Sequence, residues 1–151
     1  MGNNSHTEGA QTKVYSNGAQ GHAEGENTNV YAPNAHAEGS GTQAGNTDGA
    51  GGGSHAEGVN TKALAWASHA EGNGTEASGM NGSHAEGFGS KAKGQASHAG
   101  GFYTIADKDY QTVIGKYNEV SSEKNYAFII GNGTSAANRK NALAVDWDGN
   151  L

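Results

Sequence analysis

Apolar positions along this chain are few, small and periodic. Through the first 101 residues they fall at the centre of a five-residue group, as in Ala23, Ala37, Ala56, Ala70, Ala85 and Ala99, and again a few residues later at Val14, Val30, Ala44, Ala63, Ala77, Ala92 and Ala106. Polar residues or glycine flank most of them, Leu64 beside Ala63 and Ile105 beside Ala106 being exceptions. Such alternation has the two-residue period of a strand, whereas a helix would place apolar residues three and four apart. The pattern therefore predicts pairs of short strands.

Histidines frame the repeat. They stand at His6, His22, His36, His55, His69, His84 and His98, at intervals of 16, 14, 19, 14, 15 and 14 residues. The unit is 14 residues long and tolerates insertions at one or two places. It runs x-His-Ala-Glu-Gly-x-x-Thr-x-Ala, then a variable turn of Asn, Gly, Ser and Asp. The glycine that closes the first segment (Gly9, Gly25, Gly39, Gly58, Gly72, Gly87, Gly101) suits a corner with positive φ or close backbone approach. One unit cannot bury its own faces, but stacked units pair strand on strand at about 4.8 Å per rung. The expected fold class is an all-β solenoid, a parallel β-roll.

Counting on by the repeat finds the same frame in the tail with other side chains: Gln111 to Gly115, Ala127 to Gly131 with Thr134 and Ala136 at the expected offsets, and, more loosely, Ala142 to Asp146. This gives about ten rungs. It also divides the chain into residues 1–109, the histidine repeat, and 110–151, continuing rungs with apolar side chains and a C-terminal cap. The slots held by His and Glu become Thr112 and Ile114, Phe128 and Ile130, then Leu143 and Val145. That exchange predicts inward-facing His and Glu slots forming a polar core ladder. The central Ala slot also takes Val113 and Ile129, so both strand faces are expected to be buried, one of them by a partner chain.

Composition agrees with a thin core. Hydrophobic residues make up 33%, glycine numbers 26, proline 1, and mean hydropathy is −0.74, values that without the period would suit a disordered linker. A net charge of −6 with dispersed basic residues argues against nucleic acid as a partner. Cysteine is absent, which excludes thiolate metal sites and disulfides. The segment Met1 to His6 has neither a basic nor an apolar leader region, and the longest strongly apolar run, Tyr126 to Ile130, is too short to span a bilayer, so cytoplasmic synthesis without membrane insertion is expected.

The seven histidines and the glutamates Glu8, Glu24, Glu38, Glu57, Glu71 and Glu86 invite a metal reading. Their identical repetition is instead the mark of a structural ladder, so neither metal nor cofactor is expected. No enzyme is expected either: strand alternation points each Ser and its neighbouring His to opposite faces, and no glycine-rich loop opens a helix. The column Thr12, Thr28, Thr42, Thr61, Thr75, Ser90 and Thr104 raises ice binding as a third function, weakened by its varied neighbours. Tyr15, Tyr31, Trp66, Phe88, Phe102 and Tyr103 occupy turn or variable positions and are candidates for a recognition surface. Trp147 and Asp148 are expected to close the stack. The glycine-rich segment Gly49 to Gly53 is expected to bulge as a mobile loop.

Rungs of this length with a Ser-x-Ala-x-Gly strand resemble the head repeats of YadA-like trimeric autotransporter adhesins. The polar version, together with Thr112 to Asn118, Ile130 to Thr134 and Asn141 to Asn150, is similar to repeats in tail-fibre and appendage proteins of phages that infect Gram-positive bacteria. The resemblance implies a left-handed roll forming a side-by-side homotrimer in a virion's host-attachment apparatus, with a cell-surface glycan or protein as possible partner. The alternative it implies is the head of a bacterial surface adhesin, displayed on the cell.

Overall fold

A computed structural model describes residues 2–151, and the described residues contain no helix. Strands alternate long and short: β1 (His6–Ala10), β2 (Lys13–Val14), β3 (His22–Glu26), β4 (Asn29–Val30), β5 (His36–Ser40), β6 (Gln43–Ala44), β7 (His55–Val59) and β8 (Lys62–Ala63). There follow β9 (His69–Asn73), β10 (Glu76–Ala77), β11 (His84–Phe88), β12 (Lys91–Ala92), β13 (His98–Phe102), β14 (Ile105–Ala106), β15 (Thr112–Lys116), β16 (Tyr126–Asn132) and β17 (Asn141–Asp146). The long strands form a ten-stranded sheet and the two-residue strands a seven-stranded one. Register is strict, with His22 beside His36 and Ala37 beside Ala56, so insertions never shift the frame.

The core lies between the sheets. Ala23, Ala37, Ala56, Ala70, Ala85, Ala99, Val113 and Ile129 enter it from the wide sheet, and Val14, Val30, Ala44, Ala63, Ala77, Ala92 and Ala106 from the narrow one. Thr28, Thr42, Thr61, Thr75, Ser90 and Thr104 are buried with them. The threonine column is thus interior and offers no exposed array to ice. Thr75 donates to the Glu71 carbonyl and Thr104 to the Ser90 hydroxyl, while the hydroxyls of Thr28, Thr42 and Thr61 have no hydrogen-bond partner, so the column serves mainly as packing.

Each rung turns on left-handed corners. One column is Gln11, Asn27, Gly41, Asn60, Gly74, Gly89, Tyr103 and Tyr117. Every amide in it from Asn27 onward donates to a carbonyl of the preceding rung, as Asn60 does to Ser40 at 2.8 Å. Asn and Gly tolerate this conformation best, which explains their abundance in the turns. Ser5, Ser68, Ser83 and Ser97, each just before a histidine, close the turn that leads into the strand: Ser68 donates to the Ala65 carbonyl and accepts from the Ala65 amide, at 2.7 and 3.1 Å. Gln111 takes over that place with a longer reach, accepting from the Asp107 amide and donating to the Tyr126 carbonyl.

Two expectations change at the C-terminus. The last matching segment is not a tenth rung, because β17 pairs antiparallel with β16. Nine parallel turns therefore end in a hairpin, and Thr134 and Ala136 lie in its loop instead of starting a short strand. The narrow sheet has already stopped at β14, whose open edge is closed by one side chain. Buried Asn118 accepts from the Ile105 amide at 2.8 Å and donates to the Ile105 carbonyl at 3.0 Å, doing the work of a missing strand. Arg139, on the hairpin, donates to the carbonyls of Tyr103 and Asn118 at 3.0 and 3.2 Å. The segment Gly49 to Gly53 is less loose than its composition predicts: Gly51 and Gly52 are buried, Gly52 against the Trp66 ring.

Candidate functional site

The His and Glu side chains line the outer face of the wide sheet, correcting the expectation of inward-facing slots. His36 and Glu38 are each about one-third exposed, at 35% and 32%, whereas Ala37 between them is fully buried. Alternation had placed His and Glu together correctly. Where the narrow sheet lies across it the inner face holds small side chains, leaving no room for imidazole, and Ile129 enters it only beyond the end of the narrow sheet at β14. Thr112, Ile114, Phe128 and Ile130 continue the outer face, with Leu143 and Val145 beside them on β17.

Rung stacking converts seven dispersed histidines into one column. From His22 to His84 successive rings lie 4.7 to 4.9 Å apart and within 6° of parallel. At the ends, His6 and His98 turn edge-on to their neighbours. The carboxylates form a second column alongside. Pairing changes partway up: His6, His22 and His36 approach the glutamate of their own rung, at 3.6 to 3.9 Å. His55, His69, His84 and His98 approach the glutamate of the preceding rung, at 3.3 to 3.9 Å. This offset explains Gly100, where the motif lacks its glutamate. His98 is already served by Glu86, and a Cβ on Gly100 would press on the Glu86 carboxylate at 2.8 Å.

These contacts have the distances of ion pairs, yet burial and the like charge of neighbouring rings hold His36 and His55 below the ordinary histidine pKa. For His36 and His55 neutral imidazoles are the consistent reading, since charging both would stack cations 4.8 Å apart. Glu38 is raised to about 7 by hydrogen bonding with Glu57 and Glu24, by burial and by their charge, while Glu57 is lowered mainly by its bond with Glu38. The two carboxyls titrate as a coupled pair, and below about pH 7 the shared proton favours Glu38.

The sign of the pH dependence follows. For His36 and His55 the folded value is lowered, so their contribution to stability is present above pH 6.5 and lost on acidification below it. Glu38 is opposite: its contribution is present below pH 4.5 and lost as pH rises through about 7. Glu38→Gln is therefore expected to raise the melting temperature of metal-free protein at pH 8 and to leave it nearly unchanged at pH 4. Thermal melts at both pH values test this, and an equal effect at both would refute the shared proton.

Comparisons with protein-family models, curated proteins and solved structures find no match. The site is thus read from its own chemistry.

The candidate aromatics separate into clusters. Tyr15 and Tyr31 stack at 4.2 Å, where the bond with Tyr15 and burial push the Tyr31 hydroxyl up to about 12. Phe88, Phe102 and Tyr103 form an exposed group with Tyr117, which stacks on Tyr103 at 5.3 Å and lies under Arg139. Trp66 stands apart on the glycine-rich segment. Sequence reading missed Tyr117, although it lies one repeat after Tyr103 in the same corner column. Trp147, expected to close the stack, is 53% exposed and lines a cleft with Asp107, Lys108 and Tyr110.

Proposed function

We propose that this chain is a structural and adhesive rod that works as a side-by-side homotrimer, in a phage tail fibre or appendage that attaches to a host cell. One observation carries the reading. The outer face of the wide sheet is flat and strictly repetitive, and in its last rungs it becomes apolar through Ile114, Phe128, Ile130, Leu143 and Val145. Ile114 is 37% exposed, and among the described residues no strand packs over this face. A core of Ala, Thr and Ser buries little apolar area per rung, so covering this second face would add the stability that the thin interior lacks. Three rolls packed ladder to ladder would cover it. The exposed Phe88, Phe102 and Tyr103, backed by half-buried Tyr117, would then remain on the rod as the recognition surface, suited to aromatic stacking on a surface glycan.

Light scattering coupled to size-exclusion chromatography is expected to give three times the chain mass of 15.3 kDa. Ile130→Asp should shift that species toward monomer. A wild-type monomer at micromolar concentration would overturn the trimeric reading.

A further inference from the structure

The ladder has a property that spacing along the chain concealed. Among the described residues, four overlapping groups of three ligands occur: His22, Glu24 and His36; His36, Glu38 and His55; Glu57, His69 and Glu71; and Glu71, His84 and Glu86. In each group one donor atom per residue lies within 4.8 Å of the others. Two ligands on a tetrahedral zinc ion, each about 2.0 to 2.1 Å from the metal, are about 3.3 Å apart. The closest pairs already stand at 3.3 Å for His69 with Glu57 and 3.4 Å for His84 with Glu71. In the looser group around Glu38, one carboxylate oxygen stands 3.9 Å from His36 and the other 3.9 Å from His55. The two rings lie parallel and 4.8 Å apart, so both must tilt out of the stack and toward each other to share an ion.

A second observation points the same way. The Nε2 atoms of His22, His36, His55 and His84 are enclosed yet have no hydrogen-bond partner. Buried polar atoms are normally paired, and an imidazole nitrogen enclosed beside a carboxylate without bonding to it is placed to take a metal ion together with that carboxylate. We propose that the ladder binds divalent first-row transition ions of the zinc type, two per chain, each held by three side chains, with the fourth position left to an enclosed water or to a side chain of a neighbouring roll packed on the ladder. Two is the limit without sharing, because His36 belongs to both groups in the lower half and Glu71 to both in the upper half.

Those shared residues make the test. Untagged protein is stripped with a chelator, loaded with zinc sulfate, passed through gel filtration and analysed for bound zinc, with circular dichroism confirming the fold. Wild type is expected to retain two zinc ions per chain and to melt at higher temperature with zinc than without. His36→Gln and Glu71→Gln should each lose one ion. His6→Gln, which removes a histidine outside all four groups, should lose none. Should one variant fail to fold, the comparison of the other with His6→Gln stands. Absence of stoichiometric zinc in wild type would overturn the proposal. So would equal losses from His6→Gln and His36→Gln, the signature of a diffuse histidine surface, or full zinc retention by either shared-ligand variant.

Discussion

Ala56→Leu is expected to destabilise the roll by about 3 kcal/mol, lowering the melting temperature by on the order of 10 °C. Ala56 is fully buried in a central rung, paired in register with Ala37 below and Ala70 above. Its Cβ faces the small residues of the narrow sheet within one continuous cluster. A leucine there brings three additional carbons into a space that the six repeats from Ala23 to Ala99 each fill with one methyl. Neither neighbouring rung can shift away without breaking its own backbone pairing. Since rungs interact only with their neighbours, a disrupted middle rung also uncouples the two halves of the stack. Chemical denaturation should show a lower midpoint, and a broadened transition where the halves separate. Val59→Leu, a change on the exposed end of the same strand, should fall within about 0.5 kcal/mol of wild type. Equal midpoints for Ala56→Leu and wild type would mean the interior is wider than the alanine ladder implies.

Gly58→Ala should cost about 3 kcal/mol or more, for a different reason. Gly58 has φ +104, and a Cβ there would overlap the Gly72 carbonyl oxygen of the next rung. The obstacle is backbone, held in a parallel ladder on both sides, so local adjustment cannot relieve it. Gly74 provides the contrast. It also has positive φ, +65, but a Cβ there meets nothing within 4 Å. Gly74→Ala should therefore cost only the left-handed penalty, about 1 to 2 kcal/mol. Gly74→Asn should cost less still, because Asn27 and Asn60 occupy the same corner at φ 56 and 55. Midpoints ordered Gly58→Ala, Gly74→Ala, Gly74→Asn from least to most stable would separate close packing from backbone strain. Similar losses for the two alanine variants would contradict the stacked-glycine geometry.

The candidate site was half legible. The shared spacing of His6 to His98 was enough to align them, and strict register made them one column. What spacing could not convey is that His55 and those above it approach the glutamate of the rung before, twelve or more residues back along the chain. Ligand groups made across rungs leave no trace as a local motif, and repetition that looked purely structural is what brings three donors together.

The sequence by itself determined the repeat length, the positions of the long strands, the corners and which side chains share a face, because a strand's two-residue period and the φ preferences of Gly and Asn are local properties. Only the tertiary structure decided which shared face is inside. Occupancy of the same slots by Phe128 and Ile130 suggested that His and Glu point inward, but the gap between the two sheets admits Ala, Thr, Ser and Val, with Ile129 only past the end of the narrow sheet, and imidazole is left outside. Nor could the frame distinguish a tenth rung from the antiparallel return of β17, since alternation is the same in either strand direction. Direction and facing depend on what lies across the space from a strand, and that is settled only when the chain has folded back on itself.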